Sequence, residues 1–127
     1  MTIRLSQDEF ASLVEQALTA LPEQFEAFME NVSVDIDLRP TAEFMRLHHL
    51  GGSRRNLLGL YVGRPLTEKS VSAPWEWPEQ IFIFQRNIED ICDTRQEIVH
   101  QVRQTVLHEI GHHFGMDEDD LEQYGYG

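Results

Sequence analysis

Cysteine is almost absent from this sequence, since Cys92 is a single cysteine among 127 residues. A disulfide within the chain is therefore excluded, and the composition is typical of proteins that work in a reducing compartment. Cys92 stands in the segment IEDICD, whose acidic residues raise a thiol pKa rather than lower it. The sequence thus excludes a disulfide-stapled scaffold and argues against a cysteine nucleophile.

Positive charge is also scarce, with 10 lysines and arginines against 22 acidic residues and a net charge of −12. Such a surface repels the phosphates of nucleic acids and anionic membranes, so we expect neither as a partner. One interpretation is that the negative charge serves only to keep the protein in solution. The other interpretation is that it favours basic partners.

No apolar run approaches the ~20 residues that a membrane-spanning helix needs. The N-terminal segment MTIRLSQDEF has one basic residue and no apolar stretch, so a secretory signal is not expected either. These features predict a cytoplasmic protein. The length and the hydrophobic content of 41% suit one domain over residues 1–127.

Apolar periodicity predicts a mixture of helices and strands. A capping box at Ser6–Glu9 starts a helix that ends near Leu21. Strict alternation in VSVDIDL predicts a half-buried strand, and LLGLYV and QIFIFQ predict two more. The remaining predicted elements are short helices over 22–30, 41–48 and 87–91, a loop over 66–79, a long helix over 94–114 and a last short helix over 117–124. The long helix is expected to be capped by Asp93, with Gln96 at the box position, and to end at Gly115. The pattern indicates a small α+β domain.

The segment HEIGHHFGMDEDDL, residues 108–121, carries the clearest chemical signal. It contains H-E-x-x-H, formed by His108, Glu109 and His112. Residues four apart lie above one another on a helix, so both imidazoles can reach one metal ion. Glu109 lies about 100° around the axis, where it can hold a water bound to that ion. The spacing predicts a zinc site with Glu109 as general base.

A helical wheel separates the three histidines of this segment. The apolar stripe of the long helix consists of Ile98, Val99, Val102, Val106 and Ile110. His108 and His112 fall on a polar face beside Gln101, Gln104 and Thr105, as expected for ligands that line a cleft. His113 falls within the apolar stripe, which predicts a buried, hydrogen-bonded core histidine rather than a ligand.

A catalytic zinc site takes three protein ligands and keeps one position open. Glu118 stands where the longer motif H-E-x-x-H-x-x-G-x-x-H places its last histidine, so it is the candidate third ligand. Asp117, Asp119 and Asp120 are alternatives if the chain turns back at Gly115. The alternative interpretation is that these acidic residues bind no metal and are simply exposed at the N-terminus of the last helix, where negative charge is favourable.

Together with LLGLYVGRPLTEKS at residues 57–70, this segment resembles a bacterial family of small metallopeptidases with a minimal zincin fold. The resemblance covers nearly the whole chain. It implies a small mixed sheet with the H-E-x-x-H helix below it, zinc ligands at His108 and His112, and a base at Glu109. The family typically places an aspartate where Glu118 stands, so Asp117 and Glu118 both remain open as third ligand.

The resemblance also implies how a substrate would bind. In zincins the edge strand of the sheet lies over the metal and pairs with the substrate backbone, and Ile81–Phe84 is expected to be that strand. The expected substrate is an extended peptide or protein in a shallow groove, and the acidic surface would tolerate basic residues in it.

A zinc-dependent metallopeptidase is therefore the predicted function. The alternative is a non-catalytic metal-binding or interaction module that keeps the same scaffold. Glu109 favours chemistry, because a purely structural zinc site does not need a base. A fourth protein ligand in the water position would favour the alternative.

Overall fold

The computed structural model describes residues 2–30, 32–63, 79–113, 115, 116 and 119. In chain order, its elements are α1 (Gln7–Thr19), a 3₁₀ turn (Glu23–Phe25), α2 (Glu26–Met29), β1 (Val32–Asp37), α3 (Ala42–Leu47), β2 (Gly59–Val62), β3 (Glu79–Phe84), α4 (Gln85–Glu89) and α5 (Arg95–His113). The predicted loop over 66–79 lies almost entirely outside the described residues. Most of the predicted last helix over 117–124 does so too.

The described strands form one small mixed sheet with the order β1-β3-β2. β1 runs parallel to β3, with Asp35 opposite Phe82. β2 runs antiparallel to β3, with Tyr61 opposite Ile81. The sheet and its helices confirm the α+β prediction.

The prediction that Ile81–Phe84 is the edge strand is wrong. β3 is hydrogen-bonded on both sides, and β2 lies at an edge of the described sheet. The physical reason is that β3 is apolar on both faces. Ile81 and Ile83 are fully buried in the main core, while the Phe82 ring packs 5.2 Å from the Phe44 ring of α3. A strand buried on both faces belongs in the middle of a sheet.

α1 begins at the predicted capping box. The Ser6 hydroxyl accepts a hydrogen bond from the Glu9 N–H, and the Glu9 carboxylate accepts one from the Ser6 N–H. The buried face of the helix, Phe10, Leu13, Val14 and Ala17, packs on α5. These residues belong to the same apolar cluster as the inner face of β3, so α1 and α5 both cover one side of the sheet.

α5 carries the H-E-x-x-H motif and is the longest helix among the described residues. The Thr94 hydroxyl accepts a hydrogen bond from the Glu97 N–H, and the Glu97 carboxylate accepts one from the Asp93 N–H. The cap is therefore displaced by one residue from the predicted pair Asp93 and Gln96, because Thr94 also offers an acceptor oxygen.

The apolar stripe predicted for α5 faces the core as expected. Ile98, Val102, Val106 and Ile110 are fully buried, and Val99 packs against the same cluster. Since this stripe fixes the rotation of the helix, the opposite face is turned toward β2 and solvent. None of the helices in the described part of the chain is long and apolar enough to cross a bilayer.

Candidate active site

α5 brings the two motif histidines together on one face. Their ring centroids lie 4.1 Å apart, with the planes tilted by 66°. His108 is half-buried and His112 is exposed. Zinc binds a histidine nitrogen at about 2.0–2.1 Å, so two rings this close can share one ion. The arrangement fits the donor chemistry that the spacing predicts.

Glu109 is held by the backbone of the edge strand. Its Oε1 accepts a hydrogen bond of 2.9 Å from the Tyr61 N–H. Phe84 N–H donates to the Leu58 carbonyl, which makes that pair a hydrogen-bonded one. Hydrogen-bonded and non-hydrogen-bonded pairs alternate in an antiparallel ladder, so the backbone N–H and carbonyl of Tyr61 point away from β3. The Glu109 carboxylate therefore lies at the β2 edge of the described sheet.

Gly59 lets α5 approach β2 this closely. A Cβ at this position would lie 2.7 Å from the Thr105 Cγ2 and 2.8 Å from the Phe82 carbonyl oxygen. Both distances are shorter than ordinary van der Waals contact. Thr105 is one helical turn before Glu109, and Gly59 is two residues before Tyr61. The missing side chain thus allows the contact between Glu109 and the strand.

A second set of contacts ties the C-terminal end of α5 to the sheet. The Tyr61 and His113 rings stack, with centroids 4.1 Å apart and planes inclined by 22°. The Tyr61 hydroxyl donates a hydrogen bond of 2.5 Å to Glu79 Oε2. Glu79 Oε1 lies 3.8 Å from His113 Nε2. Burial, followed by the hydrogen bond to Glu79, raises the pKa of the Tyr61 phenol, so the hydroxyl keeps its proton and acts as a donor.

The position of His113 corrects one expectation. Its side chain is 18% exposed and stands at the margin of the helix–sheet contact rather than in the core. The apolar stripe of α5 reaches this position where the core ends, and the His113 ring stacks on Tyr61 beside Glu79.

A pocket of about 220 Å³ lies beside the motif, between α5 and the segment that leads into β2. One wall of the pocket is formed by Leu57, Leu58 and Gly59. The other wall is formed by side chains of α5: Gln101, Gln104, Thr105, His108 and Glu109. Apart from the motif residues, this lining is apolar or polar without charge. Of the two motif histidines, His108 lines this cleft, while His112 is exposed one helical turn further along.

α5 ends in a glycine-dependent turn, as predicted. Gly115 has a φ of 76°, in the left-handed region. The Met116 N–H donates to the Gly111 carbonyl and the Gly115 N–H to the His112 carbonyl, which is the Schellman pattern. The chain thus turns immediately after the second motif histidine.

Most candidates for a third ligand fall outside the described residues. Glu118, Asp117 and Asp120 are outside the described residues, and Asp119 is exposed. Among the described residues, no group of three or more His, Cys, Asp or Glu side chains is arranged to hold a metal ion. The described part of the site is therefore the pair His108 and His112 with Glu109 beside it.

Comparison with known families decides what scaffold this is. A family model described as zincin-like metallopeptidase matches residues 29–126. The chain belongs to this family. The zincin-like match includes the sheet and the whole of α5, and it confirms the resemblance inferred from the motifs.

A solved structure shares this fold. A conserved hypothetical protein from T. thermophilus is similar with a TM-score of 0.57 and 23% sequence identity. The match covers 87% of this chain and 94% of that one. No curated protein matches the chain.

The zincin-like family implies a bound metal ion. The residues present fit one: two imidazoles lie close together on the helix face that lines a pocket, and a carboxylate stands next to them. Nitrogen ligands from histidine suit zinc.

Three features of the site were not foreseen from the sequence: the edge position of β2, the close approach at Gly59, and the contacts of Tyr61 with Glu79 and His113. One signal was available. In LLGLYVG, glycines flank Tyr61 at positions 59 and 63, so one face of the strand alternates small and large residues. Such glycines indicate that another element comes close to the backbone.

Cys92 takes no part in this site. It is buried, and burial raises the pKa of its thiol to about 11, with a smaller contribution from Glu97 and Asp93. The predicted direction of the Cys92 pKa is confirmed, although burial raises it more than the neighbouring acids do.

Proposed function

We propose that this protein is a zinc-dependent metallopeptidase in which His108 and His112 bind the metal and Glu109 is the general base. One observation carries the proposal most directly. The Glu109 carboxylate is held 2.9 Å from the Tyr61 N–H, beside the histidine pair and in the wall of a pocket. A carboxylate that served only solubility would have no need of a fixed backbone donor.

The fixed carboxylate suits proton transfer. With Oε1 held by the strand, Oε2 is left to act on a water in the pocket. In peptide hydrolysis Glu109 would accept the proton of the attacking water and then deliver it to the leaving amine. A zinc ion held by the two histidines would supply Lewis acidity toward water and toward a peptide carbonyl.

The substrate is proposed to be an extended peptide that pairs with β2. The outward-facing backbone groups of Gly59 and the Tyr61 carbonyl lie at the β2 edge of the described sheet, and Gly59 lines the pocket, while the Tyr61 N–H is taken by Glu109. Main-chain pairing at such an edge gives affinity, while a pocket for a side chain gives selectivity. The pocket lining of leucine, glutamine and threonine would accept an uncharged side chain of moderate size.

The third ligand is proposed to be Glu118, with Asp117 as the alternative. The Schellman turn at Gly115 supports this assignment, because it ends the helix within three residues of His112. A carboxylate oxygen is an acceptable zinc ligand.

The test uses zinc-loaded protein and a peptide library in which cleavage is detected by mass spectrometry. Wild type is expected to cleave, and Glu109→Gln is expected to keep zinc but lose cleavage by about 10²–10⁴-fold, the usual contribution of a general base. Glu43→Gln, a change of an exposed carboxylate on α3, is the matched control and should cleave as wild type does.

Two results would count against the proposal. If Glu109→Gln cleaved as fast as wild type, the assigned base would be wrong. If wild type bound zinc but cleaved no peptide in the library, the protein would be a metal-binding module on the same scaffold.

A further inference from the structure

Tyr61 touches the proposed site twice, once through its backbone and once through its side chain. Its N–H donates to Glu109, the proposed base. Its ring stacks on His113, and its hydroxyl donates to Glu79. The first contact positions a reacting group, while the other two lie outside the set of ligands and base.

The side-chain contacts fix the place of the Tyr61 backbone relative to α5. Tyr61 belongs to β2, Glu79 is the first residue of β3, and His113 is the last residue of α5. The three residues therefore join three elements at one corner of the molecule. A stacked ring and a hydrogen bond constrain both the separation and the rotation of the elements that carry them.

The space around the stack is also restricted. A Cβ at Gly63 would lie 2.8 Å from the His113 Cε1 and 2.9 Å from the Tyr61 Cε1. The backbone at Gly63 thus closes the stack from one side, and even a methyl group there would displace one of the rings.

We propose that Tyr61, Glu79 and His113 act as a bracket that positions the Glu109 carboxylate relative to the edge strand. The bracket rests on the proposed function in one respect, namely that Glu109 is the base. The three residues are positioning residues: they set the geometry of the hydrogen bond between Glu109 and the Tyr61 N–H. His113 is thereby assigned a role that differs from that of its neighbour His112.

A bracket makes a different prediction from ordinary packing. If the contacts only stabilised the fold, removing one would lower the melting temperature without changing the site of the folded protein. If they position Glu109, removing one changes the environment of the Tyr61 amide and slows the chemical step in protein that is fully folded and fully loaded with zinc.

The first measurement needs no activity. In metal-free, ¹⁵N-labelled protein, the Tyr61 amide proton reports its hydrogen bond to the Glu109 carboxylate. Glu79→Ala and Gly63→Ala are expected to move this resonance upfield and to speed its exchange with solvent. Glu43→Gln and Gly51→Ala are the matched controls, because Glu43 is exposed and a Cβ at Gly51 meets nothing within 4 Å. They should leave the resonance unchanged.

The second measurement is steady-state hydrolysis by zinc-loaded protein. Glu79→Ala is expected to lower kcat by about 10- to 100-fold with KM nearly unchanged, the usual cost of displacing a reacting group by about 1 Å. Glu79→Gln keeps an oxygen that can accept from the Tyr61 hydroxyl, so it is expected to recover most of kcat. Zinc affinity should remain that of wild type in both variants.

The outcomes separate the bracket from the proposed function. An unchanged Tyr61 amide in both Glu79→Ala and Gly63→Ala would overturn the bracket, whatever the activity. If the two variants shift the Tyr61 amide but wild type cleaves no peptide, the bracket is supported and the peptidase assignment is removed. A kcat for folded Glu79→Ala equal to that of wild type would overturn the positioning role even if the melting temperature fell.

Discussion

Gly59→Ala tests the packing that brings the base to the edge strand. The added methyl group would meet the Thr105 Cγ2 at 2.7 Å and the Phe82 carbonyl oxygen at 2.8 Å. Carbon atoms in favourable contact lie about 3.5–4.0 Å apart, so α5 and β2 must separate by about 1 Å. The Phe82 contact is with backbone, which has little freedom to give way.

This overpacking has a thermodynamic cost and a consequence at the site. Inserting a methyl group into a packed contact typically costs about 1–3 kcal/mol. For a chain of this size, the melting temperature should fall by roughly 3–6 °C per kcal/mol. A displacement of about 1 Å would also stretch the bond from Tyr61 N–H to Glu109, now 2.9 Å, beyond hydrogen-bonding distance.

The assay is thermal unfolding followed by circular dichroism, with Gly51→Ala as control because a Cβ there has no neighbour within 4 Å. Adding Thr105→Ser removes the methyl group that clashes, so the double variant should recover part of the loss. Recovery stays incomplete because the Phe82 contact remains. If Gly59→Ala melted at the wild-type temperature, the close approach of α5 to β2 would not limit this position.

Two further predictions concern the ends of the helices. The hydrogen bond from Arg95, followed by that from the Ser6 N–H, lowers the pKa of Glu9 from 4.5 to about 2. A carboxyl group whose pKa is lower in the folded state stabilises the fold at pH values above its unfolded pKa. This stabilisation is lost as the pH falls toward its folded pKa. Glu9→Gln should therefore melt below wild type at pH 7, and the difference should disappear near pH 2; a constant difference across the titration would contradict this. Gly115→Ala places a side chain at a φ of 76° with no neighbour within 4 Å, so backbone strain alone should cost about 1–2 kcal/mol in urea unfolding. An unchanged unfolding midpoint would mean that the turn relaxes without cost.

Features that depend on neighbouring residues were predictable from the sequence. The capping box of α1 and the glycine stop of α5 follow from local hydrogen bonding, and both appear where predicted. The apolar stripe of α5 follows from helical spacing and separates the core from the polar face that carries His108. The start of α5 was displaced by one residue, because Asp93 and Thr94 both carry acceptor oxygens.

Features that depend on distant residues were harder to predict. The strand order cannot be derived from three short strands, although QIFIFQ, apolar on both faces, is typical of a central strand. The role of Tyr61 depends on Glu79 and Glu109, which are 18 and 48 residues away in the chain. Local patterns do not encode such contacts, since they form only when α5 is laid against β2.

In the proposed site, the helix face of α5 binds one zinc ion through His108 and His112. Equilibrium dialysis with elemental analysis of the protein tests it directly. Wild type and His100→Ala, which changes an exposed histidine of the same helix, are expected to bind one equivalent of zinc. His108→Ala and His112→Ala are expected to lose it. Stoichiometric zinc in His108→Ala would contradict the site.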